Sequence, residues 1–298
     1  MTMTADRPTI LSLGEVLWDL FPEGERFGGA PANFACHAAL AGSDVTMISA
    51  VGRDERGDRA RQILKSYHVD VTLLQTAEKP TGTVGVEVDA SGKPSFTIDT
   101  DSAWDCLHWA DSLESTIRNA DLVYFGTLGQ RSAASRQVIR RCLEVAREVA
   151  VPRLLDVNLR PPFFDANLIR ESVDHATILK LSDEEVDLVS SALGISDSNI
   201  ESLLQSLLER TNLESVILTR GAEGALFVQD KAIISQPGIQ ADIRDTVGAG
   251  DAFTATFATR MLRGVEPSVS LRQACEQAAK VCAIDGAVPP PKSSNDQL

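Results

Sequence analysis

The sequence predicts a three-layer α/β/α sandwich around a mainly parallel sheet, with one inserted β-hairpin, and three observations carry the sandwich. Short apolar runs of β type alternate with stretches of 3.6-residue periodicity along most of the chain. Strands that alternate with helices form parallel sheets, because each crossover helix packs back onto a sheet face. The chain has 298 residues, 43% of them hydrophobic, which is ample for a sizeable core. Neither an internal repeat nor a Pro/Gly-rich linker divides it, so residues 1–298 are expected to form a single domain.

In chain order the strand-like runs are TILSLG (9–14), DVTMISAVG (44–52), DLVYFG (121–126), RLLDVN (153–158), TILKLS (177–182) and SVILTR (215–220). Helical periodicity covers Ala32–Ala41, Ser132–Val149, Asn199–Glu209 and Ala249–Arg263. In such folds ligands bind beyond the carboxyl ends of the strands, where loops lead into helix N-termini. The segment TGTVGVEVDASGKPSFTID (81–99) departs from the rhythm, with two alternating strands around an Asp-Ala-Ser-Gly-Lys turn. It reads either as an edge hairpin with structural duties or as a lid over a pocket. The tail VPPPKSSNDQL (288–298) is expected to be coil.

Composition excludes several functions. A net charge of −14 argues against nucleic-acid or anionic-membrane partners, which need clustered Lys and Arg. No stretch approaches the roughly 18 consecutive apolar residues of a membrane span, and the start MTMTADRPTI lacks the features of a secretory signal. A cytoplasmic protein is expected. Cys36, Cys106, Cys142, Cys275 and Cys282 contain no CxxC pair, so they read as reduced thiols rather than a disulfide or zinc framework.

The strongest chemical signal is Asp-Thr-Val-Gly-Ala-Gly-Asp-Ala-Phe (245–253), running into the apolar-periodic Thr254–Leu262. Gly248, Ala249 and Gly250 sit where a loop turns into a helix, so their N–H groups can converge on an anion. Asp251 follows in the first helical turn, where a carboxylate either caps the helix dipole or works beside a bound phosphate. No GxxxxGK[ST] loop occurs, Phe253 stands where GxGxxG needs its third Gly, and the protein-kinase and GxSxG motifs are missing.

A second constellation is Gly28-Gly29-Ala30-Pro31-Ala32-Asn33-Phe34-Ala35, with Gly42 and Gly52 downstream. The glycines permit close backbone approach, Pro31 suits a helix start, and Asn33 offers both donors and an acceptor to a polyol. A tight turn before a buried helix is the alternative. Asp19, after the first strand, is either a solvated loop acid or a ligand for two adjacent sugar hydroxyls.

These two constellations, in this order, resemble the two signatures of the PfkB (ribokinase-like) carbohydrate kinases, and the similarity spans roughly residues 8 to 290. GE…WDLFP and DVNLRPPFF are most similar to bacterial fructokinases. The resemblance implies a ribokinase-like core, a β-lid from about 15–27 and 81–100, and transfer of the γ-phosphate of ATP, with Mg²⁺, to a sugar hydroxymethyl group. Asp251 would be the base, the Gly248–Asp251 backbone the anion hole, and Arg160 a partner of the transferred phosphoryl group. Asp19, Gly28, Gly29, Asn33, Phe96, Ile98 and Asn158 would hold the sugar. Lys180, Ser182 and Glu185 fall on a K-x-N-x-x-E element, with Ser182 in place of Asn and Glu185 reaching Mg²⁺ through water. Thr219, Gly221 and Gly224 match a nucleotide-contacting turn, and Gly286 and Ala287 would flank the adenine. K⁺ bound around the Asp245 and Gly286 loops, and a homodimer through the lid, are further implications. Thr256 stands where relatives usually carry Gly.

Such chemistry is coherent. A sugar hydroxyl is a poor nucleophile, so a carboxylate must take its proton as the bond to phosphorus forms. A 2-keto-3-deoxygluconate kinase would share most of these residues but call for another cation beside Arg160. A nucleoside kinase would need more stacking aromatics. A non-catalytic sugar-binding regulatory protein would be expected to have lost Asp251 or its glycines, and Gly248, Gly250 and Asp251 are all present.

Overall fold

The computed structural model of the chain describes residues 7–88 and 94–291. A nine-stranded sheet forms the centre. Its strands are β1 (Thr9–Leu13), β4 (Asp44–Gly52), β5 (Leu74–Ala77), β8 (Leu122–Gly126), β9 (Arg153–Asp156), β10 (Ile178–Ser182), β11 (Ser215–Thr219), β12 (Ala225–Gln229) and β13 (Ala232–Gln236). They lie in the order β13-β12-β11-β10-β9-β8-β1-β4-β5. Pairing is parallel from β5 to β11 and antiparallel at β12 and β13.

The alternation of side chains along each strand produces the three layers. Leu11, Leu13, Val123, Phe125 and Leu155 pack in one cluster, with α3 (Asp111–Arg118), α4 (Ala133–Glu148), α5 (Ala166–His175), α6 (Val186–Leu193) and α7 (Ile200–Arg210). Ile10, Leu122, Tyr124 and Leu154 point the other way, into a cluster with α1 (Ala30–Leu40), α2 (Glu55–Ser66) and α8 (Ala249–Leu262). Phe253 and Phe257 of α8 join Leu271 and Ala274 of α9 (Pro267–Cys282) over Ile217 and Phe227.

Helices α1 and α8 are buried nearly all round, as their Ala-rich sequences allow. The ring of Phe34 stacks on Tyr124 with centroids 3.8 Å apart, which fixes α1 against the sheet. Thr256, in place of the expected Gly, is buried within α8.

A second sheet has the order β3-β2-β6-β7, from β2 (Leu17–Phe21), β3 (Gly24–Gly28), β6 (Gly82–Val88) and β7 (Pro94–Ile98). It consists of two antiparallel hairpins joined by the parallel pair β2–β6. The Asp-Ala-Ser-Gly-Lys turn expected at 89–93 lies outside the described residues. Residues 288–291 belong to neither helix nor strand, and the rest of the expected coil tail lies outside the described residues.

β9 ends two residues before the sequence pattern does, because Asn158 takes a left-handed φ of 40°. Cys36, Cys142 and Cys275 are buried, Cys106 and Cys282 are half-buried, and all five are free thiols. Among the described residues, no helix is long and apolar enough to cross a membrane.

Candidate active site

The carboxyl ends of the parallel strands bring the site together. Glu15 follows β1, Asp156, Asn158 and Arg160 lie at and beyond the end of β9, Lys180 and Ser182 are on β10, and Thr219 ends β11. Facing them is the start of α8. Gly248 caps this helix with φ 79°, a left-handed conformation that L side chains rarely adopt. A Cβ there would lie 2.4 Å from the Ala287 carbonyl oxygen. Glycine at 248 thus lets the chain turn sharply into α8, so that the first-turn N–H groups of Gly250 and Asp251, without intrahelical acceptors, form the positive end of the helix. The Ala249 N–H instead donates to the Thr246 carbonyl at 3.3 Å, so one member of the Gly248–Asp251 backbone expected to bind an anion is already engaged.

Asp251 is buried, 9% exposed. Asn33 Nδ2 donates to Asp251 Oδ2 at 2.9 Å. Burial pushes the Asp251 carboxyl up to about 6, opposed by the Asn33 bond, with Asp156 raising it and Lys180 and Arg160 lowering it. Asn33, expected to hold a sugar, is only 3% exposed, and one N–H of its amide is given to Asp251. Gly29 positions it, capping α1 with φ 103° where a Cβ would meet the Glu15 carbonyl oxygen at 2.6 Å.

Lys180 and Asp156 form a buried ion pair with Nζ 3.0 Å from Oδ1. The Asp156 carboxylate holds the ammonium charged against the penalty of burial. That ammonium lies beneath the first turn of α8, 3.6 Å from the place a Cβ on Gly250 would take. The Thr254 hydroxyl lies 2.8 Å from the Gly250 carbonyl oxygen and 3.3 Å from Asp156 Oδ2, knitting the pair to the first turn of α8.

A cleft of about 720 Å³ opens over this floor. Lys180, Ser182, Thr219, Gly221 and Gly224, all expected to contact nucleotide, share its walls with Ala249 and Gly250. Gly286 and Ala287, expected beside an adenine, are not among its walls. The Gly286 N–H donates to Asp245 Oδ2 at 3.2 Å, and the Ala287 carbonyl meets His37 Nε2 at 2.8 Å, so this loop braces Gly248 from behind.

Asp19 projects from β2 on the sheet face shared by its cross-strand partners Arg26 and Val84 and, beyond Val84, by Ile98. Gly28 leaves room for it, since a Cβ there would lie 2.6 Å from Asp19 Oδ2. Burial pushes the Asp19 carboxyl up to about 6, against the charges of Arg160 and Arg26. Arg160 is exposed and lies close enough to Glu15, Asp19 and Asp251 to lower all three carboxyls. Ile98 is half-buried, whereas Phe96 is 55% exposed. Asn158 is half-buried in the loop that carries Arg160.

Sequence reasoning missed Glu15. Burial pushes its carboxyl up to about 7, against a bond from its own N–H and the charge of Arg160. Glu15 Oε2 and Asn33 Oδ1 have no hydrogen-bond partner within the described residues, which leaves acceptor capacity close to Asp251. The only signal for it was the Gly-Glu pair after the first strand. Asp156, Thr254 and Arg26 also escaped, because each is defined by a partner far along the chain.

Glu185 is held by three donors: the Leu159 N–H to Oε1 at 2.7 Å, and the Ser182 N–H and Oγ to Oε2 at 2.8 and 3.0 Å. With both oxygens engaged, it suits contact with a divalent ion through water rather than direct ligation. Among the described residues no group of three His, Cys, Asp or Glu could hold a metal, so Mg²⁺ fits here only with phosphate and water supplying most ligands. The surroundings of Asp245 do not fit a monovalent cation. Its Oδ2 accepts from Arg26 Nη1 at 3.1 Å as well as from Gly286, and its Oδ1 accepts from the Val247 N–H at 3.0 Å.

The profile of the pfkB family of carbohydrate kinases matches residues 21–293. A fructokinase of Salmonella typhimurium is 28% identical over 282 residues, covering 88% of this chain and 90% of that protein. An aminoimidazole riboside kinase of Salmonella typhimurium strain LT2 is 30% identical over 255 residues, covering 81% and 77%. A sugar kinase of Pyrococcus horikoshii, solved in complex with ATP, superposes with a TM-score of 0.77 at 26% identity over 97% of this chain and 96% of that one. A fructokinase of Vibrio cholerae O395, bound to fructose, ADP and calcium ion, shares the fold with a TM-score of 0.80 at 23% identity, over 97% of each chain.

Proposed function

Because the chain belongs to the pfkB family of carbohydrate kinases, we propose that it transfers the γ-phosphoryl group of ATP to a hydroxymethyl group of a monosaccharide, with fructose the first candidate. The observation that carries this reading is the position of Asp251. A buried carboxylate, held by Asn33, follows the N–H groups of a helix start that closes one end of a nucleotide-sized cleft.

The sugar lies between Asp251 and the second sheet, with Asp19 accepting hydrogen bonds from two hydroxyls. Asp251 Oδ takes the proton of the acceptor hydroxyl while its oxygen bonds to the γ-phosphorus and the bond from that phosphorus to the ADP oxygen breaks. Charge gathering on the phosphoryl oxygens meets the N–H groups of Gly250 and Asp251, the Lys180 ammonium below and Arg160 from the sugar side. A carboxyl near 6 is ionised at neutral pH yet basic enough to accept a proton in the transition state. Mg²⁺, reached through water from Glu185, would neutralise phosphate charge and orient the triphosphate. The second sheet covers the sugar and excludes water, the competing nucleophile.

A second reading is a riboside kinase. The 30% identity to the aminoimidazole riboside kinase supports it, and so does Phe96, whose exposed ring lies on the Asp19 face of the sheet, where a heterocycle could stack. A 2-keto-3-deoxygluconate kinase has less support, because the extra cation near Asp19 is Arg26, already paired with Asp245. Following ADP release with ATP and fructose, aminoimidazole riboside or 2-keto-3-deoxygluconate in turn separates these readings. Turnover fastest with fructose supports the first. Sugar binding without ADP release from any of them replaces all three with a regulatory sugar-binding protein.

A further inference from the structure

Asp245 opens the loop that leads into α8, and both of its carboxylate oxygens are engaged. Val247 and Gly286 donate backbone N–H groups to its two oxygens, and Arg26 Nη1 lies 3.1 Å from Oδ2. Nearby carbonyls are engaged too: Cys282 O accepts from the N–H groups of Arg244 and Asp245, Thr246 O from Ala249, and Ala287 O meets His37. Oxygens that already accept from N–H donors are poor ligands for a weakly held cation, and a guanidinium at contact distance repels one. Arg26 itself sits on β3, which belongs to the second sheet. Its guanidinium lies 4.4 Å from the centre of the Phe21 ring, and its Nη2 is 3.3 Å from Glu23 Oε1, so the fork is steered toward Asp245 from its own sheet.

We propose that the Arg26 guanidinium takes the place of a monovalent cation at Asp245, making this kinase indifferent to K⁺ and joining the second sheet to the phosphate-binding loop. An arginine is permanently charged, and here Nη1 reaches Asp245 while Nη2 meets Glu23, so it can hold the loop acid as an ion would. Unlike an ion, it is delivered by the sheet that covers the sugar. Seating that sheet and ordering the loop thereby become one event. The proposal deepens the kinase reading, but one of its tests is independent of that reading.

The test compares wild type with Arg26→Ala and Arg26→Lys in KCl, NaCl and choline chloride at equal ionic strength, by thermal unfolding and by ADP release. Arg26 is partly exposed on a strand, and circular dichroism checks that each variant keeps the fold. Wild type is expected to unfold at one temperature in all three salts and to turn over at one rate. Arg26→Ala is expected to be stabilised by KCl over choline chloride and to be stimulated by K⁺ roughly tenfold or more, as a lost phosphate-loop charge is restored. Arg26→Lys, which keeps the charge, is expected to remain indifferent. Wild type stabilised specifically by KCl would overturn the proposal, as would an Arg26→Ala variant whose unfolding and turnover ignore K⁺. If no sugar supports turnover, the kinase reading fails, while the unfolding comparison still decides the role of Arg26.

Discussion

The Asn33 side-chain amide donates to Asp251 Oδ2 at 2.9 Å, joining residues 218 positions apart on the two buried helices α1 and α8. That one bond aims the Asp251 carboxylate and tunes it, since it stabilises the ionised form against burial.

The pH dependence of the rate follows from it. Asp251 must be ionised to accept a proton, so kcat/KM is expected to fall as pH drops through about 6. Removing the Asn33 amide in Asn33→Ala removes a contribution that lowers this pKa, so the acid limb should move to higher pH. A profile measured for both proteins checks this. A limb that stays in place or moves down would show that another group, such as Glu15 or Asp19, controls it.

Gly248→Ala should be costly. It puts a side chain on a residue at φ 79° and a Cβ within 2.4 Å of the Ala287 carbonyl oxygen, so either the backbone is strained or the loop shifts. A loss of about 1–3 kcal/mol in urea unfolding and a much lower kcat are expected. A variant with full activity and stability would show that the loop tolerates another path.

Lys180→Met should destabilise by roughly 3–5 kcal/mol, because it leaves the Asp156 carboxyl buried beside an apolar group. Lys180→Met with Asp156→Leu should recover much of that stability without recovering activity. Unfolding curves for the two variants decide it, and a double variant no more stable than the single one would contradict the pairing as the cause.

Asp19→Ala should raise the KM for sugar roughly tenfold or more while leaving the KM for ATP nearly unchanged, as expected for lost hydrogen bonds to a charged group. Initial rates varied in each substrate separate the two constants. An unchanged sugar KM removes Asp19 from the pocket.

Much of this site was legible in the chain because it is written in local patterns. The turn into α8 needs glycine at 248 for its left-handed φ, and the Val, Ile and Leu runs that became β1, β4, β8, β10 and β11 are buried on both faces. Other features depend on partners that local pattern does not name. Arg26 and Asp245 are 219 positions apart, and Glu15 acquires its character only when the chain folds over it. In the chain the chemistry of Asn33 suits a sugar ligand, and only the packing of α1 on α8 brings its amide to Asp251 as well. The antiparallel edge of β12 and β13 went unforeseen although its signal was present, a two-residue turn at Asp230 and Lys231 with Asp230 at φ 53°.

The most direct measurement is ADP release by Asp251→Asn with saturating ATP and the best sugar substrate, alongside calorimetric titration with ATP. Loss of the proton acceptor should lower kcat by roughly a hundredfold or more while ATP binding stays close to that of wild type. Turnover near the wild-type rate in a variant that still binds ATP would contradict Asp251 as the base.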